Sequence, residues 1–104
     1  MENVEWLSAR QEFHLFTDLV KEFENSLPVR FVVGAVVDGV IFTLERLSLT
    51  KTGYIIFYGH LLDGSPFQHI RSSKAPVLSL IGLPRPEDDA DQTRRPIGFE
   101  IQES

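Results

Sequence analysis

The chain has 104 residues, enough for one domain and one hydrophobic core but not two. Hydrophobic residues make up 42% and charged residues 24%, ordinary globular values that argue against wholesale disorder. Zero cysteines exclude a disulfide framework, a thiolate nucleophile and a cysteine-type zinc site, and a net charge of −5 argues against binding long nucleic acid, where cations must displace counterions. No apolar run approaches the roughly 20 residues that span a bilayer. The first ten residues, MENVEWLSAR, lack a basic region followed by an apolar one, so no secretory signal is expected and a cytoplasmic setting is.

The first predicted element is a helix over residues 8–27. Ser8 and Gln11 fit a capping box, with Val4 and Trp6 stapling it from outside. Ala9, Phe13, Phe16, Val20, Phe23 and Leu27 recur at alternating intervals of four and three, which makes one apolar stripe. Leu15 and Leu19 are expected to widen that stripe, and Pro28 to end the helix. Three heptads are short for a coiled coil, so the stripe is read as the cover of a sheet.

That sheet is expected over residues 28–83. Asp38-Gly39, Thr50-Lys51-Thr52-Gly53 and Asp63-Gly64 cut the apolar stretch from Pro28 to Leu62 into an antiparallel meander, because glycine takes positive φ freely. The first strand, Val29 to Val37, is apolar on both faces apart from Arg30. A strand of that kind is buried twice, by the helix on one side and on the other by a sheet that curls on itself or by a second subunit. The second, Val40 to Leu49, read by strict alternation, sets Val40, Phe42 and Leu44 against Ile41, Thr43, Glu45 and Leu47. The third, Tyr54 to Leu62, carries a wholly apolar face of Ile55, Phe57, Gly59 and Leu61. Short strands at Phe67 to Arg71 and Val77 to Leu83 follow. Residues 84–96, PRPEDDADQTRRP, form an acidic, proline-flanked loop, and residues 97–101 return as an edge strand or dock as a tail. The whole is a single α+β domain over 1–104: an N-terminal amphipathic helix on a strongly curved antiparallel sheet, or a small barrel, of about five strands.

A helix followed by five strands, with FQHIRSS and VLSLIG segments near the end, resembles the layout of Sm-like proteins, the small barrels of the LSm and Hfq group. Val37-Asp38-Gly39 resembles that group's first hairpin turn, and Ile70-Arg71 the start of its second motif. Ser72 stands where the group has glycine, and Leu47 to Gly53 contain no counterpart of the Asp and Asn that hold RNA bases there. The resemblance therefore implies the fold more than the RNA site. Separately, Phe57-Tyr58-Gly59, Asp63-Gly64, Gln68-His69 and Arg94-Arg95-Pro96-Ile97-Gly98-Phe99 resemble a family of small bacterial proteins of unknown function, which brings no chemistry with it.

Catalytic patterns are missing. There is no phosphate-binding glycine loop followed by Lys-Ser/Thr, and no Gly-x-Ser-x-Gly elbow. Asp88, Asp89 and Asp91 lack the glycine turn and terminal glutamate of a calcium loop and read as solvated acid. One constellation stands out. A two- or four-residue loop after the third strand would bring Tyr58, His60, His69 and Arg71 to one sheet face, whereas an odd loop would not. A phenol, two imidazoles and a guanidinium suit a stacked base or a phosphate, and two histidines without a third ligand do not suit zinc. Three functions follow from these features. The leading one is a non-catalytic binding or adaptor protein, working as a homo-oligomer through a small-barrel sheet, with a protein partner or small anionic ligand and no cofactor or membrane. The alternative is an Sm-like binder of RNA or a nucleotide, including a phage- or defence-related sequestering role. A small hydrolase using His60 or His69 as base has the least support.

Overall fold

The computed structural model describes residues 4–72, 78–85 and 95–102. It is an α+β domain in which helix α1 (Val4–Ser26) packs on a sheet of β1 (Phe31–Val37), β2 (Val40–Leu49), β3 (Tyr54–Leu61), β4 (Pro66–Ser72), β5 (Ser79–Pro84) and β6 (Gly98–Ile101). Five strands run antiparallel in the order β4-β3-β2-β1-β5, and β6 joins β2 in parallel. Among the described residues β4 and β5 do not pair, so the sheet stays open.

The helix begins before Ser8, which lies exposed within it rather than capping it. Trp6 explains the extension: together with Ala9, Phe13, Phe16 and Val20 it continues the same stripe, and it packs against the core. Burying an aromatic body outweighs the roughly 1 kcal/mol that a serine cap contributes. The other correction on this helix is Leu15 and Leu19. Both are exposed, as is Leu7, so the buried stripe is narrower than expected and Thr17 and Glu24 complete it instead. Phe16 meets Phe57 of β3 edge-to-face, with ring centroids 6.1 Å apart. That contact anchors the helix over the centre of the sheet.

The hairpin between β1 and β2 turns on Asp38 (φ 50°) and Gly39 (φ 81°), a pair of left-handed residues whose twist matches that of the flanking strands. The apolar face of β3 is buried as expected through Ile55 and Phe57, but strict alternation fails in β2. A bulge between Leu44 and Arg46 turns both Glu45 and Arg46 outward, so Leu47 returns to the core beside Leu44 instead of facing away from it. The bulge also divides β2 by partner. Its first half pairs with β1 up to the Gly34–Thr43 rung, after which β1 continues along β5 alone. Its second half, from Arg46 to Leu49, takes β6 on that vacated side.

The C-terminal segment is thus a strand of the same sheet. Ile97 belongs to the buried core, while Phe99 and Ile101 pack against it. The Ile97 N–H donates to the Glu24 carboxylate at 3.0 Å in a buried position, Lys21 sits 4.9 Å from the centre of the Phe99 ring, and the Gln102 N–H donates to the Leu49 carbonyl at 2.8 Å. The acidic stretch around Asp88, Asp89 and Asp91 lies outside the described residues.

Candidate functional site

The turn between β3 and β4 decides which polar residues share a face. The Leu61 N–H donates to the Ser65 carbonyl at 2.8 Å and the Gly64 N–H to the Leu61 carbonyl at 2.9 Å, which leaves Leu62, Asp63 and Gly64 as the loop. Gly64 takes the left-handed conformation (φ 91°) that a three-residue hairpin loop requires. Asp63 Oδ1 accepts the Ser65 N–H at 2.9 Å, and its carboxyl is held below the usual range first by the Ser65 hydroxyl and then by that N–H. An odd loop shifts parity, so Tyr58 opposes Gln68, Phe57 opposes His69 and Ile55 opposes Arg71. The expected quartet is therefore split. Tyr58 and His60 lie on the outer face, while His69 and Arg71 lie on the inner face with Phe57 and Ile55.

On the inner face, half-buried His69 and Arg71 face the turn between β1 and β2. Arg71 Nη1 approaches Asp38 Oδ2 at 3.3 Å and Oδ1 at 3.4 Å, and His69 Nε2 is 4.0 Å from Asp38 Oδ2. Asp38 is largely exposed, so solvent screens the pair and its contribution to stability is small. Its role is geometric, tying the first hairpin to the outermost strand. His69 also stacks with Phe67, ring centroids 6.4 Å apart, and so is part of the rim of the core.

The outer face holds a fuller arrangement. Glu45, Arg46, Tyr58, Gly59, His60, Pro66, Phe67 and Gln68 line an open groove of about 350 Å³. The bulge supplies two of its walls, since without the extra residue only one of Glu45 and Arg46 would point outward. The Arg46 guanidinium lies 4.0 Å from the centre of the Tyr58 ring, a cation–π stack. His60 Nδ1 contacts Glu45 Oε2, and the Thr43 hydroxyl donates to the same oxygen at 3.1 Å. With Nδ1 directed at a carboxylate, that nitrogen carries the proton and Nε2 is left as the second polar atom of the ring. Among the described residues that line the groove there is no serine, threonine, cysteine or lysine, and the one hydroxyl is the Tyr58 phenol. Among the described residues no group of three acidic, histidine or cysteine side chains is placed to hold a metal.

Sequence reading missed Glu45, Arg46 and Gln68. A signal for the first two was present: two consecutive charged residues between Leu44 and Leu47 break the period of two, which is how a bulge appears in a strand pattern. Gln68 needed the loop length. No family model, curated protein or solved structure matches this chain, so the reading of the site rests on its own geometry.

Proposed function

We propose that this chain is a non-catalytic binding or adaptor protein that works as an assembly of its own copies, joined through the open sheet, in a cytoplasmic setting. The observation that carries the reading is the unclosed sheet, with β4 and β5 outermost among the described residues. An outermost strand is a template for pairing with another chain unless it is shortened, charged or covered. Here β4 runs from Pro66 to Ser72 with Ile70 60% exposed, and Leu62 beside it is 68% exposed. The Sm-like resemblance supports this reading through its element order, a helix followed by five antiparallel strands, while the small barrel it implies is not closed among the described residues. No described helix is long and apolar enough to cross a membrane. Light scattering at micromolar concentration is expected to give a mass well above the 11.8 kDa of one chain. Ile70→Lys is expected to lower that mass while leaving the fold intact, and a monomer at every concentration overturns the reading.

A second reading, a binder of a nucleotide or short RNA, has its own support in the stacked Arg46–Tyr58 pair beside His60 and Gln68. Aromatic and guanidinium planes accept a base, and a cation beside them accepts a phosphate. Titration with nucleoside monophosphates and short RNA is expected to shift the His60 NMR signals, with affinity falling as salt rises. Arg46→Ala should weaken binding about tenfold, the size of one lost charged contact. Arg71→Ala, on the opposite face, should leave it unchanged. Silent histidine signals throughout remove this reading.

A further inference from the structure

The groove on the outer face is polar in two different ways along its length. Thr43, His60 and Pro66 stand on one rung of the sheet, and Arg46, Tyr58 and Gln68 stand on another. Tyr58 and His60 are same-face neighbours on β3, so the two rungs lie about 7 Å apart. The bulge adds Glu45 to the first rung, where its carboxylate meets the ring of His60.

At that first rung the groups left over are acceptors. Glu45 Oε2 is engaged twice, by His60 Nδ1 and by the Thr43 hydroxyl, while neither contact uses Oε1. With the proton of the neutral ring on Nδ1, the His60 Nε2 carries a lone pair. Neither Glu45 Oε1 nor His60 Nε2 has a partner among the described residues. At the second rung the group left over is a cationic donor. The Arg46 guanidinium covers the Tyr58 ring and makes no hydrogen bond among the described residues, and Gln68 is exposed on the same rung.

A ligand that satisfies both rungs has a donor-rich edge at one end and an anionic group at the other. Between them it has a planar body to lie over Tyr58, Pro66 and Phe67. The charge of Arg46 selects the anion, and its flat guanidinium accepts a ring. The RNA bases then separate by their edges. Guanine carries adjacent donors on its Watson–Crick edge, the N1 hydrogen and the exocyclic amine. Adenine and cytosine each carry an amine beside a ring nitrogen that accepts, and uracil carries a lone N–H between carbonyls. Set against a pair of acceptors, each of those bases brings a lone pair toward another lone pair, a repulsion that guanine avoids.

We propose that the groove is a guanine-selective site, in which Glu45 and His60 read the donor edge of the base and Arg46 holds the phosphate. This rests on the reading of the groove as a nucleotide or short-RNA site, and it names the base.

The test titrates guanosine, inosine and adenosine monophosphates into the unmodified full-length chain by calorimetry. Inosine monophosphate keeps the N1 hydrogen and lacks only the exocyclic amine, whereas adenosine monophosphate has no N1 hydrogen. Guanosine monophosphate is expected to bind about tenfold more tightly than either, the size of one lost base contact. It should move the NMR signals of the His60 ring and leave those of His14 on the helix and His69 on the inner face in place. In Glu45→Gln the preference should collapse, with guanosine and adenosine monophosphates binding alike. Comparing the two nucleotides within that variant cancels its change in net charge, which acts on both phosphates equally. Equal affinities in the unmodified protein, or a preference that survives Glu45→Gln, overturn the guanine assignment and leave the nucleotide reading standing. Binding that moves His69 and not His60 overturns this groove as the site. No binding of any of the three nucleotides, with every histidine signal silent, overturns both the assignment and the reading beneath it.

Discussion

Truncation after Asp91 is expected to destabilise the protein by about 3 kcal/mol or more, lowering the melting temperature by roughly 10–20 °C for a domain of this size. The deletion removes Ile97, only 7% exposed, together with Phe99 and Ile101, and it uncovers Leu47 and Leu49, which are fully buried in the intact chain. Loss of one buried isoleucine side chain alone costs about 2–5 kcal/mol. The chain recovers some conformational entropy when residues 97–101 are no longer fixed, which reduces the net effect. Against that, the Glu24 carboxylate loses the hydrogen bond donated by the Ile97 N–H, and one such bond contributes about 0.5–1.5 kcal/mol net. Circular dichroism melts of the full and truncated chains measure the difference. The single substitution Ile97→Ala should account for much of it. A shift below about 3 °C would mean that β6 contributes little to the stability of the fold.

Much of the fold could be read where local chemistry fixes it. Asp38-Gly39 predicted a two-residue hairpin, and both residues have the positive φ that such a turn requires. The spacing of Phe13, Phe16, Val20 and Phe23 predicted the face of the helix that meets the sheet. The alternation of β3 predicted that Ile55 and Phe57 are buried. In each case the determining interaction lies within a few residues of the pattern that announces it.

The candidate site was less legible because it depends on parity. Side chains change face with every residue, so one residue more or less in a loop reassigns all that follow. The Asp63-Gly64 segment fits loops of several lengths, and choosing three residues rather than two or four moved His69 and Arg71 to the inner face. The bulge at Glu45-Arg46 did the same inside β2, moving Leu47 to the core and creating the groove. The parallel pairing of β6 with β2 had no local signal. It depends on β1 leaving β2 after Gly34, which is a property of the whole sheet.

Gly59→Ala is expected to be the most damaging single methyl group added to this protein, at about 3 kcal/mol or more. A Cβ at position 59 would lie 1.6 Å from the carbonyl oxygen and 2.8 Å from the carbonyl carbon of Thr43. Those are backbone atoms, so no rotamer change relieves the overlap, and β2 and β3 must part. They would part next to the bulge, since Gly59 opposes Leu44, the last regular rung before it. The links that hold the groove together cross the same place: the His60 N–H donates to the Thr43 hydroxyl at 3.2 Å, and that hydroxyl in turn donates to Glu45. Urea unfolding of Gly59→Ala is compared with that of Gly64→Ala. At Gly64 an added Cβ meets nothing within 4 Å, so that substitution carries only the left-handed backbone strain, about 1–2 kcal/mol. If Gly59→Ala is as mild as Gly64→Ala, the close approach of β2 and β3 is not what shapes the bulge. If it is far worse and the surviving fold also loses the His60–Glu45 contact in NMR spectra, one missing side chain is what lets two consecutive charged residues of β2 face the groove together.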